Sequence, residues 1–572
     1  MQIDDPDRNA SSHCFLELVI AAVVGSVTLV VLLATARDFG MAWDEGHTIR
    51  RELVLDRWLD LVLNPPADQP RRDLFSKREL EIYWRFSREE PDGHPPFYAI
   101  LGVAGWRLTR GSLDRLSSFR FGPMALFGVT AGALYFHLSM RRGRLAGLVA
   151  SAALALMPRM FAHAHYAHYD IPMTCFWLLA QVAFVNALRR PFWCVPFGVF
   201  LGLSAGSKFT GWFAPLAPVL WVVLVEALPR ARQKPAPPPE ALSPRPFLPA
   251  GARALLVGLP IMALTLYAIQ PPWWDDPVHG VQRFLQSNLS RSRTVPIPTL
   301  YLGRIYAFSL PWHNTLVLTA VTTPILIAVA ALAGGTAAVA RARREPSDLI
   351  WPISWAVLIV VRALPNAPGH DGVRLFLPSV ASLAPLAGMG VAWLADLLKP
   401  RGRAWMAWGF AALAIGECLA GIAQTYPYTD SYYNVAVGGL RGAERAGFEL
   451  TYYWETIGPE FLQWVRAEAR KGPLELRFPS DLIVTRYLQA WGVLPANVKV
   501  MSPRQMVVRP CYVLQRRRGV YYPLDWWLEA HGQPIFRIRR QGVDLMRVYS
   551  FEDAYRAHEA TKLVPVPSYL PE

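Results

Sequence analysis

The sequence predicts a polytopic α-helical membrane protein that carries a soluble α/β domain at its C-terminal end. Three observations carry that prediction. Long runs almost free of charge recur along the chain, at 15–36, 120–139, 171–188, 253–269, 314–340, 372–397 and 404–424. Short loops rich in Arg separate several of them. Past residue 425 the apolar runs shrink to strand length, as in Leu474-Glu475-Leu476-Arg477-Phe478 and Met506-Val507-Val508.

A helix needs about 20 apolar residues to cross the hydrocarbon core, and these runs supply them. A closed β-barrel is excluded, because its strands alternate apolar and polar residues over about 10 positions. The net charge of +15 fits Lys and Arg retained in cytoplasmic loops, so no nucleic-acid partner is expected. Cys14, Cys175, Cys194, Cys418 and Cys511 are scattered without a CxxC pair, which supports neither a disulfide framework nor a zinc finger. The first run follows the acidic Asp4-Asp5-Pro6-Asp7 and is longer than a signal-peptide core, so it reads as an uncleaved anchor.

Orientation follows from the basic loops. Arg141-Arg142-Gly143-Arg144, Arg189-Arg190, the stretch from Arg230 to Arg253, Arg341 to Arg344 and Lys399-Pro400-Arg401-Gly402-Arg403 are placed in the cytoplasm. About eleven spans then follow, at 15–36, 120–139, 145–160, 171–188, 192–206, 211–227, 253–269, 314–340, 349–364, 372–397 and 404–424. The N-terminus lies inside and the C-terminal domain outside, in the inner membrane of a bacterium. Residues 1–424 form the membrane domain, with an outer loop at 37–119 and a Pro-rich cytoplasmic linker at 228–252 around Lys234-Pro235-Ala236-Pro237-Pro238-Pro239. Residues 95–108 are too short to span and read as an interfacial or re-entrant helix. Residues 425–572 form the extracytoplasmic domain.

This threading collects the polar motifs on the outer face. Asp44 and Glu45 sit side by side just past the first span, where a half-desolvated carboxylate pair is costly to keep without a task. Gly93-His94-Pro95-Pro96 makes a rigid turn, with His94 a candidate ligand contact. In His163-Ala164-His165-Tyr166-Ala167-His168-Tyr169-Asp170-Ile171-Pro172, Asp170 opens a span as a helix N-cap or faces the Asp44 pair as a second carboxylate. His163, His165 and His168 near that Asp are a candidate set for a divalent metal, although solvated clusters of this kind are common. Lys208, between glycines in Gly206-Ser207-Lys208-Phe209-Thr210-Gly211, either snorkels or pairs with a phosphate. It lacks the Walker spacing. Arg374, in His370-Asp371-Gly372-Val373-Arg374, opens a span against the charge bias and suits phosphate recognition. Tyr432 and Tyr433, in the aromatic stretch after the last span, either mark the interface or offer stacking faces to a sugar.

Together these motifs resemble the GT-C glycosyltransferases, in the branch of the protein O-mannosyltransferases and lipid A aminoarabinose transferases. The resemblance rests on the acidic pair after the first span, His94-Pro95-Pro96, Tyr169-Asp170-Ile171-Pro172 and the Arg374 loop. Ser431-Tyr432-Tyr433-Asn434, Val437-Gly438-Gly439 and Tyr453-Trp454-Glu455 extend it, over about 35–460 in all. It implies transfer of a sugar from a polyprenyl-phosphate donor to a protein, lipid or glycan acceptor on the non-cytoplasmic face. In that reading Asp44 is the base, Glu45 its neighbour and Asp170 a second acid. Lys208 and Arg374 hold the lipid phosphate, with His94 and Asp371 as further donor contacts and His165, His168, Tyr432 and Tyr433 as acceptor or sugar contacts. The His-rich run departs from the family pattern and leaves metal dependence open, and the C-terminal domain lacks the repeats of the eukaryotic mannosyltransferases. A transporter built on short Gly-interrupted spans, or a scaffold with an outer binding domain, is the alternative.

Overall fold

The computed structural model describes residues 6–65, 73–84, 94–231, 248–290, 296–453, 455–477, 482–501 and 511–570. Among these, seven helices are long and apolar enough to cross a membrane: His13–Thr35, Arg115–Arg142, Asp170–Ala187, Phe209–Ala227, Ala250–Ala268, Gly372–Arg401 and Trp405–Thr425. All eleven predicted segments are helical, but four fall short of an unbroken span. Residues 145–160 lie in a pair of helices bent by 66°, α6 (Arg144–Leu156) and α7 (Pro158–Ala164), while 192–206 and 349–364 correspond to the shorter Pro191–Ala205 and Pro346–Val361. The 314–340 run is divided into Asn314–Thr322 and Ile325–Ala340. Pro324 stands at that break, where a ring without an N–H cannot continue the ladder.

The first helix, α1 (Pro6–Thr35), leaves most of its apolar side chains exposed on the molecular surface, as a lipid-facing helix does. It packs on α5 (Arg115–Arg142) through glycines. A Cβ at Gly132 would lie 2.5 Å from the Ala21 carbonyl oxygen, so small residues let the backbones approach. Asp170–Ala187 and Gly372–Arg401 are the most deeply buried spans. Their first turns carry Asp170 and Arg374, so the two innermost helices aim these charges at one end of the bundle. At the opposite end, Arg142 pairs with Glu345 at 2.5 Å and Arg141 with Asp348 at 3.3 Å. Two of the loops assigned to the cytoplasm therefore meet.

The 37–119 loop contains α2 (Trp43–Leu63), the short α3 (Lys77–Tyr83) and α4 (Phe97–Thr109), and α2 packs on α4. α4 has 13 residues, too few for an ordinary span. In the 271–313 loop, β1 (Thr299–Tyr301) and β2 (Arg304–Tyr306) form a hairpin turned by Leu302 and Gly303, both at positive φ. Among its described residues the C-terminal region holds a five-stranded mixed sheet in the order β4-β3-β5-β7-β6. Its strands are β3 (Leu474–Arg477), β4 (Val498–Met501), β5 (Cys511–Gln515), β6 (Pro534–Arg540) and β7 (Val543–Tyr549). The predicted strand at 474–478 is seen over its first four residues. The 506–508 strand and residues 232–247 of the Pro-rich linker lie outside the described residues.

Candidate active site

Five of the predicted residues, Asp44, Asp170, Lys208, Asp371 and Arg374, converge although they are spread over 330 positions. Asp44 stands in the first turn of α2, and its Oδ2 accepts the Tyr169 hydroxyl at 2.8 Å and the Tyr453 hydroxyl at 2.6 Å. The same oxygen accepts Nη2 of Arg374. Arg374 Nε donates to Asp170 Oδ2 at 2.9 Å, and Lys208 Nζ donates to Asp170 Oδ1 at 2.5 Å. Arg374 Nη1 reaches Asp371 Oδ2 at 2.7 Å, so one guanidinium bridges three carboxylates.

The aromatic rings complete this network. The Arg374 guanidinium lies 4.2 Å from the centre of the Tyr453 ring, and Lys208 lies 5.0 Å from that of Tyr169. Both are cation–π distances. His94 stacks against Tyr169, with ring centres 4.4 Å apart. The Phe97 N–H donates to the Gly206 carbonyl at 3.1 Å, which ties the His94 turn to the Lys208 loop. Asp371 has a φ of 61° and Gly372 one of 58°. A non-glycine residue in that conformation stores about 1–3 kcal/mol of strain, which the Asp371 ion pairs offset.

Exposure separates the two catalytic candidates. The Asp44 side chain is 20% exposed and that of Asp170 is 0% exposed. Burial alone would raise the Asp44 carboxyl, but Arg374 and the Tyr453 and Tyr169 hydroxyls hold it well below the usual carboxylate range. Asp371 is likewise pushed up by burial, yet His370, Arg517 and Arg374 keep it low. The cluster is therefore ionised, with its one accessible carboxylate at Asp44.

Other predicted residues lie elsewhere. Glu45 turns away from Asp44 and pairs with Arg120 through Nε at 2.8 Å and Nη2 at 2.7 Å. The Ala42 and Ala167 N–H groups also donate to it, at 2.8 and 2.7 Å. With both side chains fully buried, this pair holds the Asp44 turn against the 165–169 segment and offers nothing to a ligand.

His163 and His168 stay neighbours, with ring centres 5.8 Å apart, while His165 is drawn away from both. His165 stacks on Phe39 at 3.8 Å and bonds Thr35 and the Phe161 carbonyl. His163 lies 3.5 Å from Asp430. His168 Nδ1 accepts the Asp170 N–H at 3.1 Å, and burial pushes this imidazole down to about 3, so it is neutral. Among the described residues no group of three or more His, Cys, Asp or Glu could hold a metal ion. Tyr432 packs over Gly421, and Tyr433 bonds the Glu449 carbonyl and the Tyr452 hydroxyl, both at 2.7 Å. Both tyrosines are buried and present no open face to a sugar.

Residues 93–238 match the family model described as dolichyl-phosphate-mannose-protein mannosyltransferase. The chain resembles the GT-C glycosyltransferases. The matched stretch of this GT-C-like chain includes His94, Asp170 and Lys208, while Asp44 precedes it and Arg374 follows it. A comparison with curated proteins finds no match. Among solved structures, ArnT from Cupriavidus metallidurans bound to undecaprenyl phosphate is similar over 92% of this chain and 97% of that one. Its identity is 14% and its TM-score 0.49. The archaeal oligosaccharyltransferase AglB from Archaeoglobus fulgidus, in complex with an inhibitory peptide and a dolichol-phosphate, is similar over 84% of this chain and 60% of that one. There the identity is 14% and the TM-score 0.44.

The sequence reading of this GT-C-like chain did not single out Tyr169, Tyr453, Arg120 or Arg517. Both tyrosines lie inside quoted motifs, but an aromatic residue beside a span is most simply explained by the interface. Arg120 opens a span on the same side as Arg374, and that shared departure from the charge bias is the signal that was available.

Proposed function

We infer that the protein is an integral-membrane glycosyltransferase that moves a sugar from a polyprenyl-phosphate donor to an acceptor, with Asp44 as the base. One observation carries the reading: the accessible carboxylate and two cations meet in a single network at the end of the bundle opposite the Arg142–Glu345 pair. The match to a dolichyl-phosphate-mannose-protein mannosyltransferase model supports the donor class.

The arrangement suits a direct displacement. The acceptor nucleophile loses a proton as it attacks the anomeric carbon, and a positioned carboxylate takes it. The sugar–phosphate bond breaks and the departing lipid phosphate gains charge, which Lys208 and Arg374 stabilise. Asp44 is a weak base while Arg374 is bound to it. A donor phosphate that takes up the Arg374 and Lys208 hydrogen bonds loosens that hold and raises the basicity of Asp44 as the donor arrives. Asp170 stays buried between Lys208 and Arg374, where it positions both cations.

The test is transfer of labelled sugar from polyprenyl phosphate in membranes. Asp44→Asn keeps the size of the side chain and removes the base, so transfer should fall by at least about 100-fold at unchanged expression. Transfer at the wild-type rate would remove Asp44 from the mechanism.

A further inference from the structure

Arg516, Arg517 and Arg518 are consecutive, yet the structure sends them in different directions. Arg516 bonds Glu444 at 2.7 Å and Glu529 at 2.7 Å, and Arg518 bonds Glu529 at 2.5 Å. Both stay within the C-terminal region. Arg517 alone turns towards the membrane helices. Its Nη2 donates to Asp371 Oδ1 at 3.0 Å, and its Nη1 donates to the Tyr452 carbonyl at 2.8 Å, next to the Tyr453 that binds Asp44. The side chain is 9% exposed, so this ion pair is shielded from water. The other oxygen of Asp371 binds Arg374, and His370 Nε2 lies 3.8 Å from that oxygen.

We propose that Arg517 is a positioning residue of the transfer site, neutralising Asp371 so that Arg374 remains available to a donor phosphate. The inference rests on the donor class proposed above. Along this network the carboxylates are Asp44, Asp170 and Asp371, and the cations are Lys208, Arg374 and Arg517. With Arg517 these permanent charges balance, and His370 adds a titratable group beside Asp371. Without it Arg374 is shared among three carboxylates, one of them uncompensated, and an incoming phosphate meets net negative charge in a poorly screened site. The C-terminal region thus takes part in donor binding without touching the donor.

Equilibrium binding of undecaprenyl phosphate to the full chain in nanodiscs tests this. Arg517→Gln should weaken binding about tenfold. Arg517→Lys, which keeps the charge, should stay within about threefold. The double variant Asp371→Asn/Arg517→Gln removes one charge of each sign and should recover most of the loss, whereas two purely structural lesions would compound. Asp371→Asn alone, which also serves if Arg517→Gln does not fold, should bind more tightly than wild type, and weaker binding overturns the proposal. Wild-type binding by Arg517→Gln, or a double variant weaker than Arg517→Gln, overturns the proposal and leaves the donor class intact. Absence of binding by the wild-type chain overturns both.

Discussion

Asp44 and Glu45 are adjacent in sequence and opposite in use. One helical step of about 100° sends Asp44 towards Tyr169, Tyr453 and Arg374, and sends Glu45 into the Arg120 guanidinium. Arg120 also donates to the Ala36, Phe39 and Gly40 carbonyls at 2.9, 3.0 and 2.7 Å. It thereby ties the end of α1 to the start of α2. Removing one partner of a fully buried pair leaves the other charge uncompensated, at a cost of about 3–5 kcal/mol. Glu45→Ala should therefore lower thermal stability far more than Asp44→Asn does, although the sequence presents the two acids as a matched pair. Comparable melting temperatures for the two variants in detergent would contradict this assignment. The pairing with Arg120 was not legible in the sequence, because 75 residues separate the partners.

At the scale of elements, the divided 314–340 run shows how a motif can be structural. The break at Pro324 frees carbonyls at the end of one helix and N–H groups at the start of the next, and buried groups of this kind need protein partners. Asn434 Nδ2 donates to the Ala320 and Thr323 carbonyls at 2.6 and 2.8 Å, and its own N–H donates to Val321 at 2.9 Å. Glu417 accepts the Ile325 and Leu326 N–H groups at 2.7 and 2.8 Å. Asn434 closes the Tyr432-Tyr433-Asn434 motif, so part of the family resemblance marks a helix repair. Asn434→Ala should cost about 1–3 kcal/mol by leaving buried carbonyls unpaired. A denaturation midpoint equal to wild type would show that other groups satisfy them. Hydropathy found the apolar run but not its break, since a single proline leaves the run's average apolarity almost unchanged.

At the scale of the whole molecule, the seam between membrane helices and C-terminal region is built from buried acids. Glu455 accepts the Tyr453 N–H at 2.8 Å and the Ser431 hydroxyl at 3.4 Å. Burial and the neighbouring Asp430 push Glu455 up to about 7, while burial and nearby Asp371 push Asp430 up to about 6 despite Arg159. An unfolded chain releases these protons near its ordinary carboxylate values of about 4, and the folded one keeps them. Their contribution to stability is therefore full at low pH, falls as pH rises from about 4 to 7, and is level above that. Glu455→Gln mimics the protonated form. Its melting temperature should match wild type near pH 4, the ordinary carboxylate range, and lie increasingly above it as pH rises to about 7.5. A gap that is constant across this range would mean that Glu455 does not titrate at the seam.

The sequence by itself determined that this chain crosses a membrane repeatedly, that its acidic and basic motifs belong to one end of the bundle, and that strands follow residue 425. Hydropathy, charge bias and proline are local or short-range signals, and they bound these conclusions without a fold. Only the tertiary structure decided that Asp44 is the accessible acid, that Glu45, His165 and Tyr433 are committed to packing, and that Arg517 reaches the site through Asp371. Solvent access and electrostatic balance at a carboxylate depend on every group packed around it. Here those groups arrive from positions as distant as Tyr169, Arg374 and Tyr453.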